Sequence, residues 1–154
     1  GGYWSISIGD DITCDYHEIS KILQEVPDKA TVDIATLQRI LKLAAGGTLT
    51  PTISAEWLDS FKDEYTKQVT TFMLRMLETS DVKGNNKLIL QIADVLLLND
   101  TLDEEAMRIK CQILFRMGQK GASKRCYDTF VAEHTRLLNE KPAISYEDIL
   151  SDLQ

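Results

Sequence analysis

The side chains best suited to metal binding or nucleophilic chemistry in this chain are its three cysteines and two histidines. A metal site needs ligands at short, regular spacing, such as Cys-x-x-Cys or a second histidine one helical turn away. His17 and His134 are far apart, and Cys14, Cys111 and Cys126 form no such pair. We therefore expect no metal and no other cofactor, with the first histidine at the surface and the second at the edge of the core.

Nucleophilic catalysis would require a cysteine or serine with a base within hydrogen-bonding reach. Cys126 and His134 fall about two turns apart on one predicted helix, which is too far for a hydrogen bond. Cys111 and Cys126 are most simply interpreted as small core residues. The carboxylates cluster where predicted helices start, as the helix dipole favours, so the residues predict no enzymatic activity. These carboxylates are Asp15, Glu18, Asp103, Glu104, Glu105 and Asp148.

The segment GQKGAS, residues 118–123, has the glycines and lysine of a phosphate-binding loop. Such a loop follows a strand and ends in Gly-Lys-Ser/Thr after a four-residue spacer. Here a predicted helix precedes the segment and the residue order differs. We interpret it as a tight turn between antiparallel helices, with Gly118 at the end of the first.

Composition restricts the class of protein further. With 154 residues, 44% of them hydrophobic and only three prolines, the chain suits one ordered domain with its own core. A net charge of −7 disfavours direct binding to nucleic-acid phosphates. The odd number of widely spaced cysteines favours a reducing, cytoplasmic location. The longest apolar run, 88–98, falls short of the roughly 20 residues that span a bilayer, so we expect no membrane contact.

Basic residues are concentrated in one part of this acidic chain. Between positions 108 and 125 there are six basic residues and no acidic one, so −7 less these six positive charges leaves −13 for the rest. Two interpretations remain open: the cations lie on solvated helix ends, or they form a docking surface for another domain or an acidic segment. The candidate docking residues are Arg108, Lys110, Arg116, Lys120, Lys124 and Arg125.

The N-terminal part is predicted to contain a hairpin and three helices. Alternating apolar residues indicate a short β-hairpin over residues 1–14. A helix over 15–24 starts at Asp15, with Glu18 as its capping partner. A second helix spans about 32–43 and ends at two glycines.

The third predicted helix, over 55–78, is long and amphipathic. Its bulky apolar residues recur every three or four positions, which is the period of one helix face. They are Trp57, Phe61, Tyr65, Val69, Phe72 and Met76.

The C-terminal part is predicted to contain four further segments of helix. Residues 87–98 are apolar nearly all round, which indicates a helix buried on several sides. Thr101 and Glu104 form a capping box for a helix that reaches Met117, and the next helix spans 119–139. The inner face of that helix is predicted to comprise Ala122, Cys126, Tyr127, Phe130, Val131, His134, Leu137 and Leu138.

A last short helix is predicted after Ser145, with Asp148 as its capping partner. Gly84 and Gly118 lie 34 residues apart and each precedes a helix of similar pattern. That period is typical of tetratricopeptide-like stacking. The predicted fold is therefore all-α: a tetratricopeptide-like antiparallel array of about six to seven helices over 15–154, preceded by the hairpin.

Several segments resemble the bacterial transcriptional activator domain, the tetratricopeptide-like module that follows a winged-helix DNA-binding domain in SARP-type regulators. GGTLTPTISAEW is similar to the family's Gly-x-Leu-x-Pro segment before the tryptophan of its long helix. NDTLDEE is similar to its Asp-Pro-Leu-x-Glu junction, with Thr101 in place of proline. GQKGASKRCY is similar to its Gly, Ala, Tyr pattern, with Ser123 in place of alanine; a proline follows the last long helix, without the usual preceding glycine. The matching residues are Gly47, Leu49, Pro51, Trp57, Asp100, Leu102, Glu104, Gly118, Tyr127 and Pro142.

The resemblance implies a regulatory protein-interaction domain, for activation or oligomerisation. Residues 1–14 resemble the end of the family's winged helix, and the chain starts with Gly1 instead of methionine, so we expect a fragment whose DNA contact comes only through a missing upstream domain. The implied partners are that winged helix, a second copy of the chain, or the transcription machinery. The alternative is a stand-alone tetratricopeptide-like adaptor or chaperone that binds a peptide or protein, which predicts a natural start near Gly1.

Overall fold

The computed structural model describes residues 15–26, 32–47 and 56–151, and every regular element within these ranges is a helix. The helices are α1 (Asp15–Glu25), α2 (Ile34–Ala44), α3 (Glu56–Leu77), α4 (Ser80–Lys83), α5 (Asn86–Asn99), α6 (Glu104–Arg116), α7 (Lys120–Leu138) and α8 (Tyr146–Ser151). The all-α class is confirmed. The hairpin predicted over residues 1–14 lies outside the described residues, and the tetratricopeptide-like arrangement stays a prediction.

Helix boundaries largely follow the local signals, but α4 was not predicted and one predicted cap is wrong. The predicted capping box at Thr101 is wrong, because Asp103 caps α6 and its Oδ1 accepts a hydrogen bond from the Ala106 N–H at 2.9 Å. Residues 100–103 instead form a separate turn, in which Asp100 Oδ1 accepts from the Leu102 N–H at 2.8 Å. This turn uses residues that the sequence pattern had assigned to the helix start.

The last short helix begins as predicted. The Asp148 N–H donates to Ser145 Oγ at 3.1 Å, and the Ser145 N–H donates to Asp148 Oδ2 at 3.0 Å. Hydrogen bonds from the Ser145 hydroxyl and N–H lower the pKa of the Asp148 carboxyl below its usual value. At the start of α1, in contrast, the Glu18 carboxylate accepts hydrogen bonds from the Arg39 guanidinium and so connects α1 to α2.

Two glycines end helices in conformations that disfavour other residues. Gly47, after α2, has φ of +111°, and Gly118, after α6, has φ of +77°. A side chain with Cβ is strained in this left-handed region, so glycine suits both positions. Gly118 and Gln119 therefore form the predicted turn between α6 and α7, and the remaining residues of GQKGAS are the start of α7.

The larger of two apolar clusters lies among α1, α2, α3 and α5. We call it the large cluster. It also receives residues from α4 and from both ends of α6. Its fully buried side chains include Ile19, Leu37, Ile40, Val69, Met73, Met76, Val82, Leu88, Ile92 and Leu96. Burial of such side chains contributes about 1.5–3 kcal/mol each, so this cluster is the main source of stability.

The smaller cluster lies among α6, α7 and α8 and consists of Met107, Cys111, Phe130 and Ile149. We call it the small cluster. Leu97 of α5 packs against both clusters and so joins them. α8 is held to α6 by a hydrogen bond from Gln112 Nε2 to the Ile149 carbonyl at 2.9 Å. The contacts among α6, α7 and α8 therefore combine a small apolar cluster with a polar contact between α6 and α8.

Two helix faces that were predicted to be apolar and buried are exposed at one end. Phe61 of α3 is 52% exposed, although its face is buried from Tyr65 onward. Leu137 and Leu138 are 49% and 51% exposed, contrary to their predicted place on the inner face. The reason is length: α7 has 19 residues and antiparallel α6 has 13, so the last turns of α7 extend past the start of α6.

Candidate functional site

The α6–α7 interface is unusually polar at its centre. Ser123 of α7 is fully buried, and its hydroxyl donates a hydrogen bond to the Cys111 carbonyl of α6 at 2.8 Å. The Tyr146 hydroxyl of α8 donates to the same Ser123 oxygen at 2.9 Å. A buried hydroxyl with partners on two other helices fixes how these helices meet. Serine, which stands where the resembled family has alanine, thus has a structural role here.

An open groove with a volume of about 570 Å³ runs along the α6–α7 pair and reaches the C-terminal end of α5. We call it the α6/α7 groove. Its apolar lining residues are Leu97, Met107, Leu114, Ala122 and Phe130. Its polar lining residues are Thr101, Lys110, Arg125, Cys126, Thr129 and Glu133. An apolar floor with a few charged groups at its edges is the usual composition of a binding site.

Lys110 carries the positive charge on the α6 side of the groove. Its Nζ lies 2.6 Å from Asp94 Oδ1 on α5. Partial burial lowers the pKa of Lys110, but the hydrogen bond and charge of Asp94 outweigh that effect and raise it overall. The ammonium group is therefore charged and held in position.

Arg125 carries the positive charge on the α7 side. It is exposed, and no ion pair involves it among the residues that the structure describes. Two turns along the helix, Glu133 is paired with Arg136 at 2.6 Å, and that hydrogen bond lowers the pKa of the Glu133 carboxyl. The groove therefore presents one paired and one available cation to a ligand.

The six candidate docking residues do not form one surface. Arg108 pairs with Glu104 and Glu105 on its own helix, at 3.4 and 3.7 Å. Lys124 pairs with Asp128 at 2.8 Å and lies over the rings of Tyr127 and Tyr146, on the side of α7 that faces α8.

The remaining members of the set lie elsewhere. Arg116 and Lys120 flank the α6–α7 turn, and Lys120 Nζ lies 5.2 Å from the centre of the Phe115 ring. Lys110 and Arg125 line the groove. The structure thus divides the predicted set among the α8 side, the turn and the groove, and brings only Lys110 and Arg125 together around a cavity.

Residues of the family-like motifs mainly build turns and helix junctions. Asp100 and Leu102 form the turn before α6, and Glu104 is the first residue of that helix. The Tyr127 hydroxyl donates to the Ile144 carbonyl at 3.0 Å, which holds the segment containing Pro142 against α7. Trp57 lies in the first turn of α3, while Leu49 and Pro51 lie outside the described residues.

The sequence interpretation treated Cys111 and Cys126 alike, as small core residues, but the structure distinguishes them. Cys111 is fully buried, as expected of a core residue, but Cys126 is only half-buried and lines the groove. Cys126 also packs against the small cluster, which contains Cys111, and it lines the groove together with Lys110. A spacing of 15 residues across a predicted antiparallel turn is the one sequence signal that could have indicated this proximity.

His17 is exposed and His134 is half-buried, with its Nδ1 2.9 Å from the Glu140 carbonyl oxygen. Among residues 15–26, 32–47 and 56–151, no three His, Cys, Asp or Glu side chains are grouped as metal ligands.

Within the same ranges, no helix has both the length and the apolar content needed to cross a bilayer. The α6/α7 groove is the candidate site that the described residues offer.

No family model matches this chain, and neither does any curated protein or solved structure.

Proposed function

We propose that this chain is a regulatory protein-interaction module of a bacterial DNA-binding transcription regulator, with the DNA-reading domain upstream, and that the α6/α7 groove holds a segment of its partner. The groove is the observation that carries the proposal. Its apolar floor, with Leu97, Met107 and Phe130, suits the apolar face of an amphipathic helix or peptide. Its available cation, Arg125, favours a partner with an acidic edge.

The context of transcription comes from the sequence resemblance alone. The Gly-x-Leu-x-Pro, Asp-x-Leu-x-Glu and Gly-to-Tyr segments occur in the family's order between Gly47 and Tyr127. A net charge of −7 is compatible with a module that leaves DNA contact to another domain. The partner segment belongs to the winged helix, to a second copy of the chain or to the transcription machinery.

The sharpest test blocks the groove without disturbing the core. Thr129 is exposed and lines the groove, so Thr129→Trp places a large ring in the partner's space. Ala132 is exposed on the same helix and is not part of the lining, so Ala132→Trp is the matched control. Both variants are made in the full-length protein encoded by the natural gene.

We expect Thr129→Trp to change operator binding, self-association or transcriptional output, and Ala132→Trp to leave all three unchanged. A second pair of variants tests the effect of charge. Arg125→Glu reverses a charge in the groove lining, and Lys87→Glu, at an exposed position on α5 outside the lining, is the matched control. The proposal fails if the natural gene encodes no DNA-binding domain, or if neither groove variant alters any of these measurements.

The runner-up function is a stand-alone tetratricopeptide-like adaptor or chaperone, which the same groove also favours. This alternative requires no DNA-binding domain and predicts that the 154-residue chain binds an acidic amphipathic peptide by itself. A coding region that starts near Gly1, together with peptide binding lost in Thr129→Trp, would favour it over the regulator.

A further inference from the structure

Two thiols on different helices lie near the α6/α7 groove, one in its lining and one behind it. Cys111 of α6 is fully buried, and its S–H points toward the Ser123 carbonyl oxygen at 3.4 Å and the Met107 sulfur at 3.7 Å. Cys126 follows Ser123 by one turn on α7 and packs against the small cluster, which contains Cys111.

The two thiols differ in access. Cys126 is half-buried and forms part of the groove lining, whereas Cys111 lies behind it in the small cluster. A small solute that enters the groove therefore reaches Cys126 first. The Lys110 ammonium, held by Asp94 at 2.6 Å, contributes a positive charge beside this sulfur.

Hydrogen bonding and charge favour ionisation of the accessible thiol over the buried one. The neighbouring Cys111 thiol and the Lys110 charge lower the pKa of Cys126, against the opposing effects of burial and the Asp94 charge. The neighbouring Cys126 thiol, together with burial, raises the pKa of Cys111. Because the thiolate is the nucleophile in cysteine oxidation, reactivity is directed to the groove side.

We propose that Cys126 and Cys111 form a redox-modification site, in which Cys126 is oxidised by hydroperoxides that enter the groove and Cys111 resolves the product as an intramolecular disulfide. This proposal is independent of the partner-binding function, because it requires only the two thiols and access to one of them.

The chemistry balances in two steps. The Cys126 thiolate attacks the terminal oxygen of the hydroperoxide; an S–O bond forms, the O–O bond breaks, and the alkoxide leaves as the alcohol with the proton that Cys126 lost. The Cys111 sulfur then attacks the sulfenic sulfur of Cys126; the S–S bond forms, the S–O bond breaks, and the hydroxyl leaves as water with the Cys111 proton. The thiol pair is oxidised by two electrons and the hydroperoxide is reduced.

The test uses the whole chain with Cys14→Ser, so that Cys111 and Cys126 are the remaining thiols. Reduced protein is treated with hydrogen peroxide, and free thiols, intact mass and linked peptides are measured. We expect loss of both thiols, a mass decrease of two hydrogens, a peptide linking Cys111 to Cys126, an unchanged monomer fraction, and full reversal by dithiothreitol.

Two further variants in the same background assign the roles. Cys111→Ala should accumulate sulfenic acid at Cys126, detected by dimedone labelling, and Cys126→Ala should leave Cys111 reduced. If either variant fails to fold, peptide mapping of partly oxidised Cys14→Ser protein supplies the order of reaction. The proposal is overturned if both thiols stay reduced under peroxide that oxidises free cysteine, if Cys111 is modified before Cys126, or if Cys126 reaches sulfinic acid without forming the disulfide.

Discussion

The large and small clusters are stabilised by different kinds of interaction. In the large cluster, Ile40, Met73 and Ile92 have no exposed surface and contact other apolar side chains. Beside the small cluster, the buried Ser123 is hydrogen-bonded to the Cys111 carbonyl and to the Tyr146 hydroxyl. Apolar burial is non-directional and tolerates repacking, whereas hydrogen bonds impose distance and angle. The stability of the molecule therefore resides mainly in the first cluster, and the geometry of the groove is set by the second.

The largest expected effect is on the large cluster. Ile92→Ala removes a fully buried side chain from α5, and we expect it to lower the free energy of unfolding by about 3 kcal/mol through lost burial and a residual cavity. Urea denaturation followed by circular dichroism measures this. Leu74→Ala, on a residue that is 44% exposed, is the control and should cost less than about 1 kcal/mol. Equal losses in the two variants would contradict the assignment of the core.

A smaller loss is expected from the hydrogen bonds of Ser123 beside the small cluster. Ser123→Ala leaves the Tyr146 hydroxyl without its partner, and we expect destabilisation of about 1–2 kcal/mol. A double-mutant cycle with Tyr146→Phe checks the cause, because the double variant should lose less than the sum of the single losses. Additive losses would mean that the two hydroxyl groups do not act together.

The smallest effect concerns the attachment of α8, and it depends on pH. The folded-state pKa of Asp148 lies below the usual 3.8, so its cap stabilises the fold above that value and the contribution is lost as the pH falls through the lower, folded-state pKa. Asp148→Asn should therefore lower the urea midpoint at about pH 6 and have less effect at about pH 3. Glu147→Gln, the same charge change one residue away, is the control. A loss for Asp148→Asn that is equal at both pH values would contradict this role.

Local sequence signals predicted the helices well, because helix formation depends on periodicity and capping within a few residues. The capping pair Ser145 and Asp148 and the helix end at Gly118 were both correct. The prediction at Thr101 failed because Asp100, Thr101 and Asp103 offered alternative caps, and the turn formed by Asp100 decided among them. The sequence contains the alternatives but does not rank them.

The candidate site was predicted only in part. Lys110 and Arg125 were identified from charge, but their common position at a groove, apart from Lys124 and Arg108, depends on how α7 is rotated against α6. Residues that are adjacent in sequence lie about 100° apart around a helix, so a charge run does not become one surface.

By itself, the sequence determined an all-helical chain in the described ranges, the approximate bounds of its long helices, and an acidic body with a basic segment. The tertiary structure alone decided that Leu137 and Leu138 remain exposed, that Ser123 is buried, and that Cys126 faces a groove with Cys111 behind it. The physical reason is that helix formation is governed by neighbours along the chain, whereas burial and side-chain contact are governed by the lengths and relative positions of different helices.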